Sequence, residues 1–253
     1  MTRQLVLTSL PGIPMVKPGD DLVPLIVNGL HKAEIELADG DVLVIAQKIV
    51  SKAEGRLVKL SEVEPSAEAT DLAASVQKDP ALVELVLQES RRVLRTRPGL
   101  MIVEHRLGFV CANAGIDHSN VGDGGEWVLL LPLDPDASAQ SIRAGLASEV
   151  GVDIGVLIVD SHGRAWRMGT VGSTIGVAGF PALQDLRGRP DLFGRTLEIT
   201  QVGLADEVSA AASILMGQAS ESAPVVHLRG LPYPLREGTM AELIRPEEED
   251  LFR

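Results

Sequence analysis

The apolar residues of this chain come in short runs, each closed by glycine, proline or aspartate, and that punctuation constrains the fold more than any other feature. Asp41-Val-Leu-Val-Ile-Ala46 follows Asp39-Gly40 and is short and evenly apolar, so it reads as a buried strand rather than a helix. Comparable strand patterns occupy residues 5–10, 100–105, 107–112, 127–132, 152–159, 165–168, 196–202 and 224–229. Helical spacing occupies 20–30, 66–77, 80–89, 134–148, 205–216 and the charged tail 240–251, where Glu247-Glu-Glu-Asp250 reads as a solvated face. Strands and helices mix without strict alternation. This favours an α+β fold, with mixed or antiparallel sheets and flanking helices, over a doubly wound sheet. Glycines at 169, 172, 176 and 179 match neither a Walker A loop nor a dinucleotide fingerprint, and predict glycine-dependent packing or a twisted strand.

A chain of 253 residues suits one large domain or two modest ones. Aromatic residues are only 3%, so the core must be built from Val, Leu, Ile and Ala. No apolar run reaches the roughly 18 residues expected of a membrane span, and the N-terminus has no signal-peptide anatomy. The single cysteine, Cys111, excludes an internal disulfide framework and fits a reducing cytoplasm; its apolar neighbours predict a buried structural thiol rather than a nucleophile. A net charge of −12 argues against broad nucleic-acid or anionic-membrane binding. An anionic ligand would need positive charge concentrated locally.

One segment does this. Ala46-Gln47-Lys48-Ile-Val-Ser51-Lys52-Ala-Glu54-Gly-Arg56 follows an apolar strand and carries Lys48, Lys52 and Arg56. Lysine binds phosphate as a point charge and arginine as a fork, so the segment reads as a triphosphate cradle; a solvent-facing turn with ordinary charges fits it too. Two acidic loops also follow strand-like runs: Asn113-Ala-Gly-Ile-Asp117-His-Ser-Asn120 and Val159-Asp160-Ser161-His-Gly-Arg164. Carboxylates at such places are candidate ligands for a hard cation, which takes oxygen donors and often bridges to phosphate. Two carboxylates ~4 Å apart repel by ~4 kcal/mol at an effective dielectric of ~20, and a divalent cation reverses that sign. Asp117 and Asn120 can turn toward one ligand or close an Asx turn. Asp160 and Ser161 make a carboxylate–hydroxyl pair or belong to a hairpin turn at His162-Gly163, while Arg164 and Arg167 are placed to meet a substrate acid. His118 and His162 lack zinc spacing and read as exposed loop histidines.

Taken together these segments resemble the coenzyme F420-0:L-glutamate ligase family. The resemblance is carried by Leu10-Pro-Gly-Ile-Pro14, Lys17-Pro-Gly-Asp-Asp-Leu22, Asp39-Gly-Asp-Val-Leu-Val-Ile45 and Ser51-Lys-Ala-Glu-Gly-Arg56. It continues through the two acidic segments, Leu131-Pro-Leu-Asp-Pro-Asp136, Asp191-Leu-Phe-Gly-Arg195, Ala205-Asp-Glu207 and Leu215-Met-Gly217, in consistent order. It implies one ligase-like domain over residues 1–253, divisible into two subdomains, and an interlocked homodimer in the cytoplasm. It also implies an enzyme that joins the amine of L-glutamate to the lactyl carboxylate of F420-0, and further glutamates through the γ-carboxyl, consuming GTP. A carboxylate is a poor acyl donor. Phosphorylation by the nucleotide gives an acyl phosphate that the amine can attack, releasing GDP and phosphate. A divalent cation, Mg²⁺ or Mn²⁺, offsets the converging charge, with K⁺ as a further candidate.

Carried over by position, the catalytic residues implied are Asp117, Asp160 and Arg164, with Asp117 and Asp160 holding the metal and Ser161 and Gln218 as further ligands. The nucleotide site implied takes Leu10, Pro11, Gly12 and Ile13 from one segment, Gln47, Lys48 and Lys52 from another, and Asn120. Met216, Gly217, Gln218, Ala219 and Ser220 close over it, in a segment running to Ser222. The chain departs from the family pattern in three places. Members often have Ser-Thr or Ser-Lys where Gln47-Lys48 stands, threonine where Ser161 stands, and a glycine-rich stretch where Gln218-Ala-Ser-Glu-Ser222 stands. The nitroreductase-like domain that some relatives carry at the C-terminus is not expected here. Two other readings stay open: another nucleotide-dependent amide ligase or phosphotransferase on the same scaffold, and a non-catalytic F420- or nucleotide-binding protein.

Overall fold

The computed structural model describes residues 3–119, 121 and 125–251. The chain runs β1 (Val6–Ser9), α1 (Leu22–Lys32), β2 (Val42–Ala46), α2 (Gln47–Ala53), β3 (Leu57–Lys59), α3 (Ala67–Val76), α4 (Pro80–Gln88), β4 (Ser90–Arg97), β5 (Leu100–His105) and β6 (Val110–Ala112). It continues with β7 (Trp127–Leu129), α5 (Pro135–Val150), β8 (Gly155–Arg164), β9 (Arg167–Ala178), β10 (Gln184–Asp185), β11 (Gln201–Val202), α6 (Leu204–Met216) and β12 (Val225–Arg229). Helices begin where short polar side chains cap them. Asp21, Ser66, Asp79 and Asp134 each accept a hydrogen bond from an N–H of the following turn, and Pro80 and Pro135 sit where no donor is needed.

A five-stranded sheet in the order β1-β12-β2-β8-β9 forms the centre. β2 and β8 pair in parallel; the other neighbours are antiparallel. Successive side chains point to opposite faces. Leu43, Ile45, Val156 and Ile158 join a core with α1 and α5, while Val42, Val44, Leu157 and Val159 join a second core with α6. Burial on both faces is why β2 reads as an unbroken apolar run. Between β2 and β8 the chain builds the antiparallel sheet β4-β5-β6, with α3 and α4 against it, and the pair β3–β7. No helix among the described residues is long and apolar enough to cross a membrane.

The glycine-studded stretch is β9, and its glycines serve packing. The register against β8 slips between Ile158 and Val159, leaving Ile175 as an extra residue that turns the strand over. A Cβ on Gly176 would lie 2.5 Å from the Pro135 carbonyl oxygen of α5, and one on Gly172 would lie 2.5 Å from the Ser209 carbonyl oxygen of α6. Both helices therefore rest directly on strand backbone. Acids in their first turns satisfy β9: Asp206 accepts from the Thr174 N–H at 2.8 Å and Asp136 from the Val177 N–H at 2.7 Å. These contacts blunt an edge that would otherwise be open to pairing.

The α+β expectation holds, with these local corrections. Residues 47–53, for which the spacing predicts no helix, form the helix α2. β4 escaped the apolar pattern because Arg91, Arg92, Arg95 and Arg97 line it. Residues 160–164 form no acidic loop; β8 continues through Arg164 and the hairpin turns at Ala165-Trp166. The strand expected over 196–202 shrinks to Gln201–Val202. The tail makes two short 3-10 turns, Met240–Leu243 and Glu247–Glu249, because Pro246 between them cannot continue a helix.

Candidate active site

β2 and β8 run side by side, so the residues at and beyond their carboxyl ends become neighbours. In sheets with parallel strands that end is the usual place for a ligand. A cleft of about 500 Å³ opens there, within the range of small-molecule sites. α2 starts directly after β2, and its helical repeat sets Ser51 one turn below Gln47 and Lys52 one turn below Lys48. Gln47, Lys48 and Lys52 face the cleft from this helix. Asp117 and Ser119 enter from the loop after β6, and Asp160, Ser161 and His162 from the end of β8. The segment after α6, residues 216–222, and Ile13 complete the walls.

Asp117 is held by its backbone and by its side chain. Its N–H and C=O exchange hydrogen bonds with Leu129 at 3.0 and 2.9 Å. Its Oδ2 accepts from Gln47 Nε2 at 2.8 Å and lies 3.4 Å from Lys48 Nζ. Lys48 Nζ also donates to the Ser119 hydroxyl at 2.9 Å and to its carbonyl at 3.1 Å. Elsewhere in the cleft Ser161 Oγ donates to Gln218 Oε1 at 2.7 Å. His162 Nε2 stands 3.0 Å from Asp160 Oδ2 without the alignment of a hydrogen bond, and its ring leans on Phe109 with centroids 5.3 Å apart.

Charge makes the grouping more than spatial. Burial raises the Asp117 carboxyl above its ordinary value, Lys48 opposes the rise, and the charge of Asp160 adds to it. Burial, with Lys48 adding, lowers the Lys52 ammonium. Burial also pushes the Cys111 thiol up to about 12, with Asp160 contributing, so it stays protonated and unreactive as its apolar sequence context predicted. Asp117, Asp160, Ser161 and Gln218 offer only oxygen donors, the set a hard divalent cation selects. No group of three or more His, Cys, Asp or Glu side chains that could hold a metal ion occurs among the described residues. A cation here would have to complete its shell with ligand phosphate or water.

Most residues named from the sequence border this one cleft: Ile13, the three from α2, both aspartates, Ser161 and the segment 216–220. Others lie elsewhere. Leu10 is buried in the core, and Pro11 and Gly12 are outside the lining. Arg164 sits on the exposed arm of the β8–β9 hairpin with its guanidinium 3.5 Å from the Met168 carbonyl, away from the cleft. Arg56 leaves the proposed triphosphate cradle altogether, binding Glu89 at 2.7 Å and the Leu131 carbonyl at 2.9 Å. Asn120 falls outside the described residues. His118 is exposed as expected, whereas the His162 side chain is only 14% exposed. Pattern reading also missed Glu221, whose carboxylate accepts from the Ala219 N–H at 2.8 Å. It packs into the space a Cβ on Gly217 would fill, and Gly217 itself has a φ of 70°. No spacing in the sequence announces that fold-back.

A family model described as F420-0:Gamma-glutamyl ligase matches residues 12–230. The chain is 48% identical to the coenzyme F420:L-glutamate ligase of Methanothermobacter thermautotrophicus over 249 residues, covering 98% of both chains. It is 48% identical to the Methanopyrus kandleri protein of the same name, over 94% of this chain and 93% of that one. With the Archaeoglobus fulgidus protein of that name it shares 45% identity over 96% of this chain and 94% of the other. Matched by the model over most of its length and by these relatives nearly end to end, the chain belongs to the F420-0:gamma-glutamyl ligase family.

Proposed function

We propose that the chain attaches L-glutamate to coenzyme F420-0, using GTP and a divalent cation to activate a carboxylate as an acyl phosphate. The names of its relatives supply the substrates. The observation that supports the chemistry is that Asp117 and Asp160 line one cleft together with Lys48 and Lys52. An amide ligase of this kind must gather a triphosphate and two carboxylate substrates, all negative, on a protein that is itself acidic. Lys48 and Lys52 offset part of that charge and hold phosphate oxygens. A cation bound by Asp117 and Asp160, with Ser161 and Gln218 in reach, supplies Lewis-acid stabilisation of the phosphoryl oxygens. Residues 216–222 cover the cleft and keep water from hydrolysing the acyl phosphate before the amine attacks its carbonyl carbon and phosphate leaves.

The same reading makes the molecule a homodimer. Trp166 and Met168, on the β8–β9 hairpin, are 88% and 96% exposed, and Leu192 and Phe193, between β10 and β11, are 98% and 95% exposed. Large apolar side chains left to solvent in this number mark an interaction surface, and a second copy of the chain is the occupant that the family resemblance implies.

The test incubates the protein with GTP, Mn²⁺ or Mg²⁺, L-glutamate and F420-0, and follows product mass and GDP. One glutamyl residue should be added for each GDP released. Asp160→Asn should abolish turnover and leave the melting temperature nearly unchanged, because it removes a charge and almost no volume. Nucleotide turnover without glutamylated product would point instead to another ligase or phosphotransferase. Binding without GDP release would point to a non-catalytic protein.

A further inference from the structure

We propose that Ser51, a buried residue behind the cleft wall, is a positioning residue for Asp117 and acts through the Gln47 carboxamide. The inference rests on reading Asp117 as the acid that meets the cation. Ser51 is fully buried, and its Oγ donates to Gln47 Oε1 at 2.8 Å. Gln47, 1% exposed, in turn donates from Nε2 to Asp117 Oδ2 at 2.8 Å. The three groups form one line from the interior of α2 to the cleft.

A carboxamide carries a donor on one side and an acceptor on the other, in nearly the same shape. An ionised carboxylate only accepts, so Gln47 must present nitrogen to Asp117; reversed, it would set oxygen against oxygen. That orientation drives Oε1 into the interior, where it needs a donor. Ser51 is that donor. Without its hydroxyl the buried oxygen is unsatisfied, and the side chain relieves the cost by swinging toward water, which releases Asp117. Gln47 and Lys48 both act on Oδ2, and the backbone of Asp117 is locked to Leu129, so among the described residues Oδ1 is the atom left for a ligand.

Two readouts test this in folded protein: the Gln47 side-chain NH₂ resonance without metal, and Mn²⁺ affinity in the presence of GDP. Ser51→Ala should shift the resonance toward that of a solvent-exposed amide and weaken Mn²⁺ binding about tenfold, the usual size of an outer-shell effect. Ser51→Thr, which keeps the hydroxyl, should retain both. In a Gln47→Met background Ser51→Ala should have no further effect on Mn²⁺, since residues acting through one another are not additive. Should Ser51→Ala fail to fold, Ser51→Cys keeps the volume, weakens the donor and takes its place. An unmoved resonance with unchanged Mn²⁺ affinity, or additive losses in the double variant, overturns the proposal. Asp117→Asn separates the two levels. If it leaves Mn²⁺ binding intact, the ligase reading of Asp117 has failed; if it weakens binding while Ser51→Ala does not, only the role of Ser51 has failed.

Discussion

Glu89 is buried among groups that the sequence places far apart. Arg56 donates to one of its oxygens at 2.7 Å and Arg106 to the other at 2.9 Å, with His105 Nε2 at 3.6 Å. Burial alone would raise this carboxyl, but His105 and the two guanidinium groups outweigh it and hold the group at about 2, against an ordinary 4.5. Because the folded value lies below the unfolded one, the linkage contributes stability above about pH 4.5 and loses it as the pH falls toward 2. The shift corresponds to on the order of 3 kcal/mol. Urea unfolding from about pH 6 to pH 3 should show wild-type stability falling through the acid limb, and Glu89→Gln should be less stable at neutral pH with a flatter limb. Parallel pH profiles for the two proteins would remove Glu89 from the account. Arg56 itself shows what a sequence conceals: its charge is legible, but the direction it points is decided by Glu89, thirty-three positions away.

At the scale of elements, α6 is coupled to the site through β9. The helix lies on the backbone of Gly172, and its C-terminal end leads into the segment that lines the cleft. Gly172→Ala should push α6 outward and destabilise the fold by about 1–3 kcal/mol, the usual range for overpacking. GTP affinity should fall with it as residues 216–222 shift. An unchanged denaturation midpoint would show that α6 accommodates the methyl group. Four helices have caps written locally, at Asp21, Ser66, Asp79 and Asp134, whereas α2 has no side-chain cap and was not legible. Nor was β4, because a strand lined with arginine has no apolar alternation to read. Asp160-Ser-His-Gly-Arg164 has the composition of a turn, yet Ser161 faces Gly172 and His162 faces Val171 across a ladder that only the later strand supplies. For the site, the chemistry of Lys48, Lys52, Asp117 and Asp160 could be read one residue at a time. Their sharing of a cleft could not, because it depends on β2 and β8 coming together.

For the whole molecule, the exposed apolar side chains are the surface on which the proposed dimer can be tested. The wild type should sediment as a dimer, and Phe193→Asp combined with Trp166→Asp should give a monomer. Both side chains are almost wholly exposed in the single chain, so the protomer should melt at nearly the same temperature. Unchanged sedimentation would exclude this surface as the contact. A different consequence follows from the one parallel pairing at the centre of the sheet. Joining Ala46 to Val159 closes a loop of roughly a hundred residues, an entropic cost met before the pairing gives any return. Topologies of that kind reach the native state slowly. The lysines sit on α2, directly after one of these strands, and Asp160 on the other strand, so a chain still on its way to the native state should have no cradle to offer a nucleotide. Competence for ligand should arrive only once this loop has closed, so recovery of binding should report that closure.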